Sequence, residues 1–343
     1  VNGRLFFKAD DGVHGGELWV SDGSAAGTQM VKDIRPGDES SMALVGYPGG
    51  AALDSKLLFA VEDGQELWQS DGTEGGTSRI WKLEDAGTSG LNRIWSGQTV
   101  AYGHVDNGLW SSDGQAGGES HLKELFGFPT GQVLDGDRLF MAYYSGGSES
   151  LWTSQGTGPS TKKIHSGAVN GLSMLDGFTY FISGSQLWRS SGTAAGTVPV
   201  VTVPGAELED LAASGGSLFM SDEAGDGWRL WLSDGTAAAP QQLKSITIDT
   251  GDEQIYALYP FTNGVFFAAD DGVHGFEPWV SDGTATGTKM LLDIAPDAAD
   301  SQIDWITPAG NLVFFSADDG THGQELWVSD GTSAGTQMVA DIV

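Results

Sequence analysis

Residues 17–34 read ELWVSDGSAAGTQMVKDI, and residues 325–342 read ELWVSDGTSAGTQMVADI. One phrase kept almost letter for letter at opposite ends of a chain is either a site used twice or the seam of a structure made of copies. Weaker copies between them decide for the second reading. The phrase occurs eight times, centred on Trp19, Trp68, Trp110, Trp152, Trp188, Trp231, Trp279 and Trp327, at intervals of 49, 42, 42, 36, 43, 48 and 48 residues. That spacing suits propeller blades and helical repeats alike.

The local pattern separates the two. Each phrase follows a short apolar run: RLFFKA (4–9), KLLFAV (56–61), TVAYGHV (99–105), RLFMAYY (138–144), FTYFIS (178–183), SLFMS (217–221), GVFFAA (264–269) and LVFFSA (312–317). Aromatic and branched residues bounded by Gly, Asp or Asn read as strands. No stretch sustains helical spacing between caps, because Gly and Pro interrupt every candidate. The class is all-β.

One repeat parses into four strands. Strand A is the weakest in sequence, as in DWITPA (304–309) or IYALYPF (255–261). A tight turn follows, for which the pair Asn263-Gly264 suits a two-residue hairpin. Strand B is the apolar run, strand C is ELWVS, and strand D is TQMVKDI. Strands B and C are apolar on both faces, as radially packed sheets require. The expectation is a single β-propeller domain over residues 1–343, with eight blades of four antiparallel strands. The chain opens at strand B, so blade 1 lacks its inner strand and thirty-one strands are expected. Seven blades with shared end strands is the competing count.

Within the phrase, SDGT joins strands C and D. Asp22, Asp71, Asp113, Asp234, Asp282 and Asp330 can accept backbone N–H bonds two residues on, and the following Gly can take a positive φ. Gln155 and Ser191 replace the Asp in blades 4 and 5. A group repeated at equivalent turns forms the fold rather than a reaction centre. The same holds for the eight tryptophans, read as core rings wedged between blades, each with an indole N–H to satisfy.

These residues resemble the bacterial ELWxxDGT repeat family. The matches are clearest at 17–28, 66–77, 279–288 and 325–336; Pro278 departs from the Leu, Gln115 stands where Thr belongs, and Ala239-Pro240 replaces Gly-Thr. The resemblance implies a secreted or cell-surface bacterial propeller, often part of a longer chain, without an assigned reaction. The start at Val1 without Met agrees with a mature or excised piece.

The 343 residues carry 46 acidic against 16 basic side chains, a formal charge of −30. Such a surface repels nucleic acid and anionic lipid and attracts cations or basic partners. Solubility in high salt is an equal explanation for the same charge. The chain has no cysteine, which excludes disulfides, thiolate zinc sites and a cysteine nucleophile. No apolar run is long enough to span a bilayer. No G-x-S-x-G, H-E-x-x-H or phosphate loop is present. Seven arginines, of which only Arg35 and Arg93 belong near the loop face, do not make a sialidase triad.

Alternating strands put the B–C and D–A loops on one face, where loops vary and function is placed. Blades 1, 7 and 8 share a long B–C loop: ADDGVHGGE (9–17), ADDGVHGFE (269–277) and ADDGTHGQE (317–325). Ring closure is expected to bring the three side by side. Asp10, Asp11, Asp270, Asp271, Asp318 and Asp319 are the candidate calcium ligands, since carboxylates in Gly-rich loops suit an oxygen-seeking cation. The other reading is that each Asp caps its own turn and each His bonds a carbonyl of its loop. One His from each of three diverging blades does not make a zinc site.

The second candidate is axial. Trp95, Trp305, Tyr256 and Tyr259 lie on or near inner strands with Asp304 and Arg93, a mix that can bind a sugar by stacking and hydrogen bonds. A wet, polar channel without a ligand is the alternative. The expected function is a non-catalytic extracellular binding or adhesion scaffold, with a glycan or cell-surface protein as partner and calcium as stabiliser. The competing class is a lectin or a carbohydrate-active enzyme using the axial pocket.

Overall fold

A computed structural model describes the protein except residues 42–49, 62–63, 84–89, 106–107, 225–226, 248–255, 262–263 and 342–343, and the side chains of Asn92, Ala224, Thr247 and Tyr256. The chain is an eight-bladed β-propeller, all-β apart from one 3-10 turn at Gly158–Ser160. It divides into two compact units, Val1–Ser166 and Gly167–Val343, of four blades each. Among the described residues no helix is long and apolar enough to cross a membrane.

In the first unit, blade 1 is β1 (Leu5–Asp10), β2 (Gly16–Ser21) and β3 (Gln29–Lys32). Blade 2 is β4 (Ala51–Leu53), β5 (Lys56–Val61), β6 (Glu66–Ser70) and β7 (Ser78–Lys82). Blade 3 is β8 (Leu91–Ser96), β9 (Ala101–Val105), β10 (Gly108–Ser112) and β11 (Glu119–Glu124). Blade 4 is β12 (Phe128–Asp135), β13 (Arg138–Ser145), β14 (Ser148–Ser154) and β15 (Lys162–Ser166).

In the second unit, blade 5 is β16 (Asn170–Leu175), β17 (Phe178–Ser183), β18 (Gln186–Ser190) and β19 (Thr197–Thr202). Blade 6 is β20 (Glu207–Ser214), β21 (Ser217–Ala224), β22 (Gly227–Ser233) and β23 (Gln241–Thr247). Blade 7 is β24 (Tyr256–Phe261), β25 (Gly264–Asp270), β26 (Phe276–Ser281) and β27 (Lys289–Met290). Blade 8 is β28 (Asp304–Ala309), β29 (Leu312–Asp318), β30 (Gln324–Ser329) and β31 (Gln337–Ala340).

Every sheet is an antiparallel meander in chain order, seven with four strands and blade 1 with three. Among the described residues the count of eight blades and thirty-one strands therefore stands, and a seven-bladed arrangement does not. The Asn263 half of the expected hairpin and Ile255 of the expected inner strand lie outside the described residues.

Within each unit, a blade packs on the next by one rule. The strand C leucine and one strand D residue of a blade meet alternate strand B residues of its successor. Thus Leu67 and Ile80 of blade 2 share a core with Ala101 and Val105 of blade 3. Leu109 and Leu122 of blade 3 meet Leu139, Met141 and Tyr143 of blade 4. Leu230 and Leu243 of blade 6 meet Val265, Phe267 and Ala269 of blade 7. The strand D residue is the extra one of a β-bulge that recurs beside the tryptophan. Leu67 pairs with Trp81 but Trp68 with Arg79, which leaves Ile80 unpaired and turned inward. Val31, Leu122, Ile164 and Leu243 hold the same place, and all are buried. A bulge adds one residue to one strand and re-aims its side chain.

The tryptophans are more exposed than core residues should be. Trp279 and Trp327 are buried, but the other six are half-buried, so the rings cap the outer packing of each blade instead of filling its centre. Four indole N–H groups find acceptors: Trp68 on Glu66, Trp152 on Ser150, Trp231 on Asp222, and Trp327 on the Ala317 carbonyl.

The SDGTxxGT turn is a closed hydrogen-bond unit. In blade 7, Asp282 Oδ1 accepts from both the N–H and the hydroxyl of Thr284, and Gly283 takes φ +86°. Thr288 donates its hydroxyl to the Thr284 carbonyl, and its Oγ1 lies 2.7 Å from Ser281 Oγ. The same Ser–Thr clasp closes blades 1, 2, 4, 5 and 8.

The Glu of ELW has a second structural task. Glu277 is fully buried, and its two oxygens accept from the N–H groups of Ile294 and Ala295 at 2.9 and 3.0 Å. Glu17 makes the matching bonds to Ile34 and Arg35 and accepts from Ser41 Oγ. A buried carboxylate thus ties down the backbone of the chain as it leaves strand D.

Candidate functional site

The three long B–C loops have the same internal geometry, each within its own blade. Asp10 accepts from Gly12 N, while Asp11 accepts from the N–H groups of Val13 and His14 and from His14 Nδ1 at 2.8 Å. Asp270, Asp271 and His274 repeat this, as do Asp318, Asp319 and His322. The histidine bonds the carboxylate three residues before it, not a loop carbonyl. The His14 ring bond holds the Asp11 carboxyl down at about 2 and pushes the imidazole up; Asp319 and His322 behave alike.

Among the described residues no three His, Asp or Glu side chains converge at metal-ligand distance. Asp10, Asp270 and Asp318 accept these turn bonds through one oxygen only, while Asp11, Asp271 and Asp319 use both. Melting temperature followed across a calcium titration tests the loops: a rise of several degrees, as ligand linkage gives, would make them cation sites, and an unchanged value would leave the carboxylates as turn caps.

The inner strands separate the axial candidates. Six of the seven carry a bulge against strand B, and its position decides where the aromatics go. In β8 one residue is extra, so Trp95 stays in register opposite Tyr102. Trp95 is buried among Tyr102, Leu122 and Leu139, and its expected ligand-facing role is corrected to a core one. Arg93 lies beside it in β8, opposite His104 and half-buried. In β28 the one extra residue falls between Asp304 and Thr307, so that two residues stand against Phe315 alone. One of them is Trp305, which takes φ +54° and leaves 79% of its surface exposed.

Around Trp305 the second unit has a cavity of about 830 Å³ between blades 7 and 8. Tyr259, Asp304 and Trp305, three of the expected axial residues, line it together with Phe276, Asp300, Gln302 and Gln324. The side chain of Tyr256 lies outside the described residues. Burial, then the negative charges of Asp210 and Asp304, push the Tyr259 phenol up, so it stays a donor.

The D–A connection that carries this site is braced at each step. Asp300 accepts from Phe276 N, buried Ser301 donates its hydroxyl to the Phe276 carbonyl, and Asp318 N donates to the Ser301 carbonyl. Gln324 Nε2 donates to the Gln302 carbonyl, and Asp304 Oδ1 accepts from Trp305 N. Asp297 and Gln302 also have positive φ, at 66° and 48°. Non-glycine residues held in this region cost of order 1–3 kcal/mol each and cluster at ligand clamps. Asp300, Gln302 and Gln324 escaped sequence reasoning because nothing local marks them; the bracing bonds that place them run to other strands.

No protein-family model and no curated protein matches the chain. Among solved structures it is similar to the computationally designed Ika8 protein, at 16% identity over 85% of each chain with a TM-score of 0.54. It is similar to the puromycin hydrolase S511A mutant complexed with PGG at 13% identity and a TM-score of 0.50, covering 85% of this chain and 53% of that one. Apo AztD from Citrobacter koseri matches at 12% identity and a TM-score of 0.48, over 97% and 93%. At these identities the likeness is one of fold alone.

Proposed function

We propose that the chain is a non-catalytic binding propeller of the bacterial surface, of the ELWxxDGT repeat kind, whose ligand seat is the Trp305 cavity and whose ligand is a saccharide. Trp305 carries the reading. Its indole leaves most of its surface in solvent beside the cavity, and the backbone is held in an unfavourable region to present it. Sugars stack on such faces, and their hydroxyls need donors and acceptors at the rim. The Tyr259 phenol, the carboxylates of Asp300 and Asp304 and the amides of Gln302 and Gln324 supply both. The Asp-rich chemistry of the rim excludes sialylated and other anionic glycans in favour of neutral ones.

A glycan array followed by calorimetry tests this. Saturable binding of a neutral glycan without turnover is expected. Trp305→Ala should weaken it at least tenfold while leaving the melting temperature within about 2 °C, since an exposed side chain contributes little to stability. Hydrolysis of the bound glycan, or binding indifferent to Trp305, defeats the proposal.

A further inference from the structure

The walls of the Trp305 cavity carry charge of one sign. Asp300 and Asp304 line it, and none of its lining residues is Lys, Arg or His. Each carboxylate commits one oxygen to the backbone: Asp300 Oδ1 accepts from Phe276 N at 2.8 Å, and Asp304 Oδ1 from Trp305 N at 2.7 Å. Among the described residues, Oδ2 of each has no donor. Their charge is felt in the site, since after burial it is Asp210 and Asp304 that push the Tyr259 phenol up. Blade 6 of the same unit shows what such a combination takes. There the Arg229 guanidinium lies 5.3 Å from the Trp231 ring centroid, and its Nε donates to the buried Asp222 carboxylate at 3.1 Å. An indole beside a carboxylate thus holds a cation twice over, by the ring quadrupole and by charge. At Trp305 the indole and the carboxylates are in place, and no lining residue supplies the cation.

We propose, on the saccharide reading of this cavity, that it selects an amino sugar with a free amine, whose ammonium group is taken by Asp300, Asp304 and the Trp305 indole. A neutral sugar of the same shape stacks on the indole and bonds the rim, but it leaves both carboxylates without a counter-charge. An ammonium group donates through its N–H bonds to the unused carboxylate oxygens and lies against the ring as a compact cation. Acetylation of the amine removes the charge and adds a carbonyl acceptor where the carboxylates have nothing to donate. On a chain of formal charge −30 the long-range field favours the same cationic ligand before contact is made.

The test uses the whole chain and β-1,4-linked tetramers of glucosamine and of glucose, which differ only in amine against hydroxyl. Tetralysine serves as the basic peptide. Each is titrated by calorimetry at about pH 6, where amines of this kind are protonated. The glucosamine tetramer should bind about tenfold tighter than the glucose tetramer at low salt. That ratio should fall at least about threefold at about 1 M salt, where charges are screened beyond about 3 Å. Asp300→Asn combined with Asp304→Asn keeps the acceptors for Phe276 N and Trp305 N. It should bring the two sugars to equal affinity while changing that of the glucose tetramer by no more than about twofold. The salt dependence of the unaltered protein decides the matter should the double variant fail to fold. Equal binding of both sugars by the unaltered protein, or binding of neither, overturns the amine preference and leaves the saccharide reading to the glycan array. A double variant that weakens both sugars equally also overturns it, because the carboxylates then serve hydroxyls. Tetralysine binding tighter than the glucosamine tetramer and lost in Trp305→Ala makes the partner a basic polypeptide, and overturns both readings.

Discussion

Stability of the protein is expected to fall as pH rises from about 4.5 to 7, and Glu277→Gln to abolish most of that fall. Burial, opposed by the bonds from Ile294 and Ala295, pushes the Glu277 carboxyl up from 4.5 to about 7. A carboxyl whose folded pKa lies above its unfolded one keeps a proton in the folded state that the unfolded state has lost. Stability therefore declines across the interval between the two values and is level outside it. At about 1.4 kcal/mol per pKa unit the full effect is about 3 kcal/mol, an upper figure for one buried group. Denaturant midpoints at pH 4.5 and 8 measure it. Glu277→Gln keeps one acceptor and should flatten the profile at a cost of about 1 kcal/mol at low pH. Glu277→Ala leaves the N–H groups of Ile294 and Ala295 without acceptors and should cost about 3 kcal/mol or more at every pH. A profile unchanged in Glu277→Gln would show that other groups govern the slope.

Gly287→Ala is expected to destabilise by about 2 kcal/mol, although alanine restricts the unfolded chain and would gain a few tenths at an open site. A Cβ on Gly287 would lie 2.0 Å from Asp282 Oδ1. That carboxylate cannot simply swing away, because Thr284 holds it by both its N–H and its hydroxyl. Displacing it breaks two bonds of about 1 kcal/mol each. The double variant Asp282→Ala with Gly287→Ala should then cost less than the two single changes summed, by at least about 1 kcal/mol. Strict additivity by thermal or chemical denaturation would show that the glycine is required for some other reason. The equivalent glycines at 27, 76, 118 and 335 meet their own aspartates in the same way, so the result applies to five blades.

Much of the Glu277 and Gly287 chemistry is written in the repeat itself, yet only part of it is legible there. The Asp-to-Thr bonds span two residues and the Ser–Thr clasp seven, so turn chemistry alone identifies the hairpin. The Glu reaches seventeen residues ahead to Ile294, across strands C and D, and no local pattern announces that it does. The expected core role of the tryptophans failed by degree for a related reason. Their burial depends on how far the neighbouring blade extends outward, which is a property of packing and not of strand pattern.

By itself, the sequence determined the all-β class, the eight repeats, the approximate places of the strands and the turn that joins strands C and D. Each of these depends on residues close together in the chain: alternation within a strand, positive φ at glycine, bonds between a side chain and a near neighbour. Only the tertiary structure decided which aromatics face a ligand. Trp95 and Trp305 both occupy inner strands, but Trp95 lies beyond the bulge of its strand, in register opposite Tyr102, whereas Trp305 lies within the bulge of its own and turns out to solvent. Where a bulge falls follows from how strand A closes against strand B and the neighbouring connections, through contacts such as those of Asp300, Ser301 and Gln324 that join distant segments. Register is a collective property of the packed sheet, so a residue's own neighbours in the chain could not reveal it.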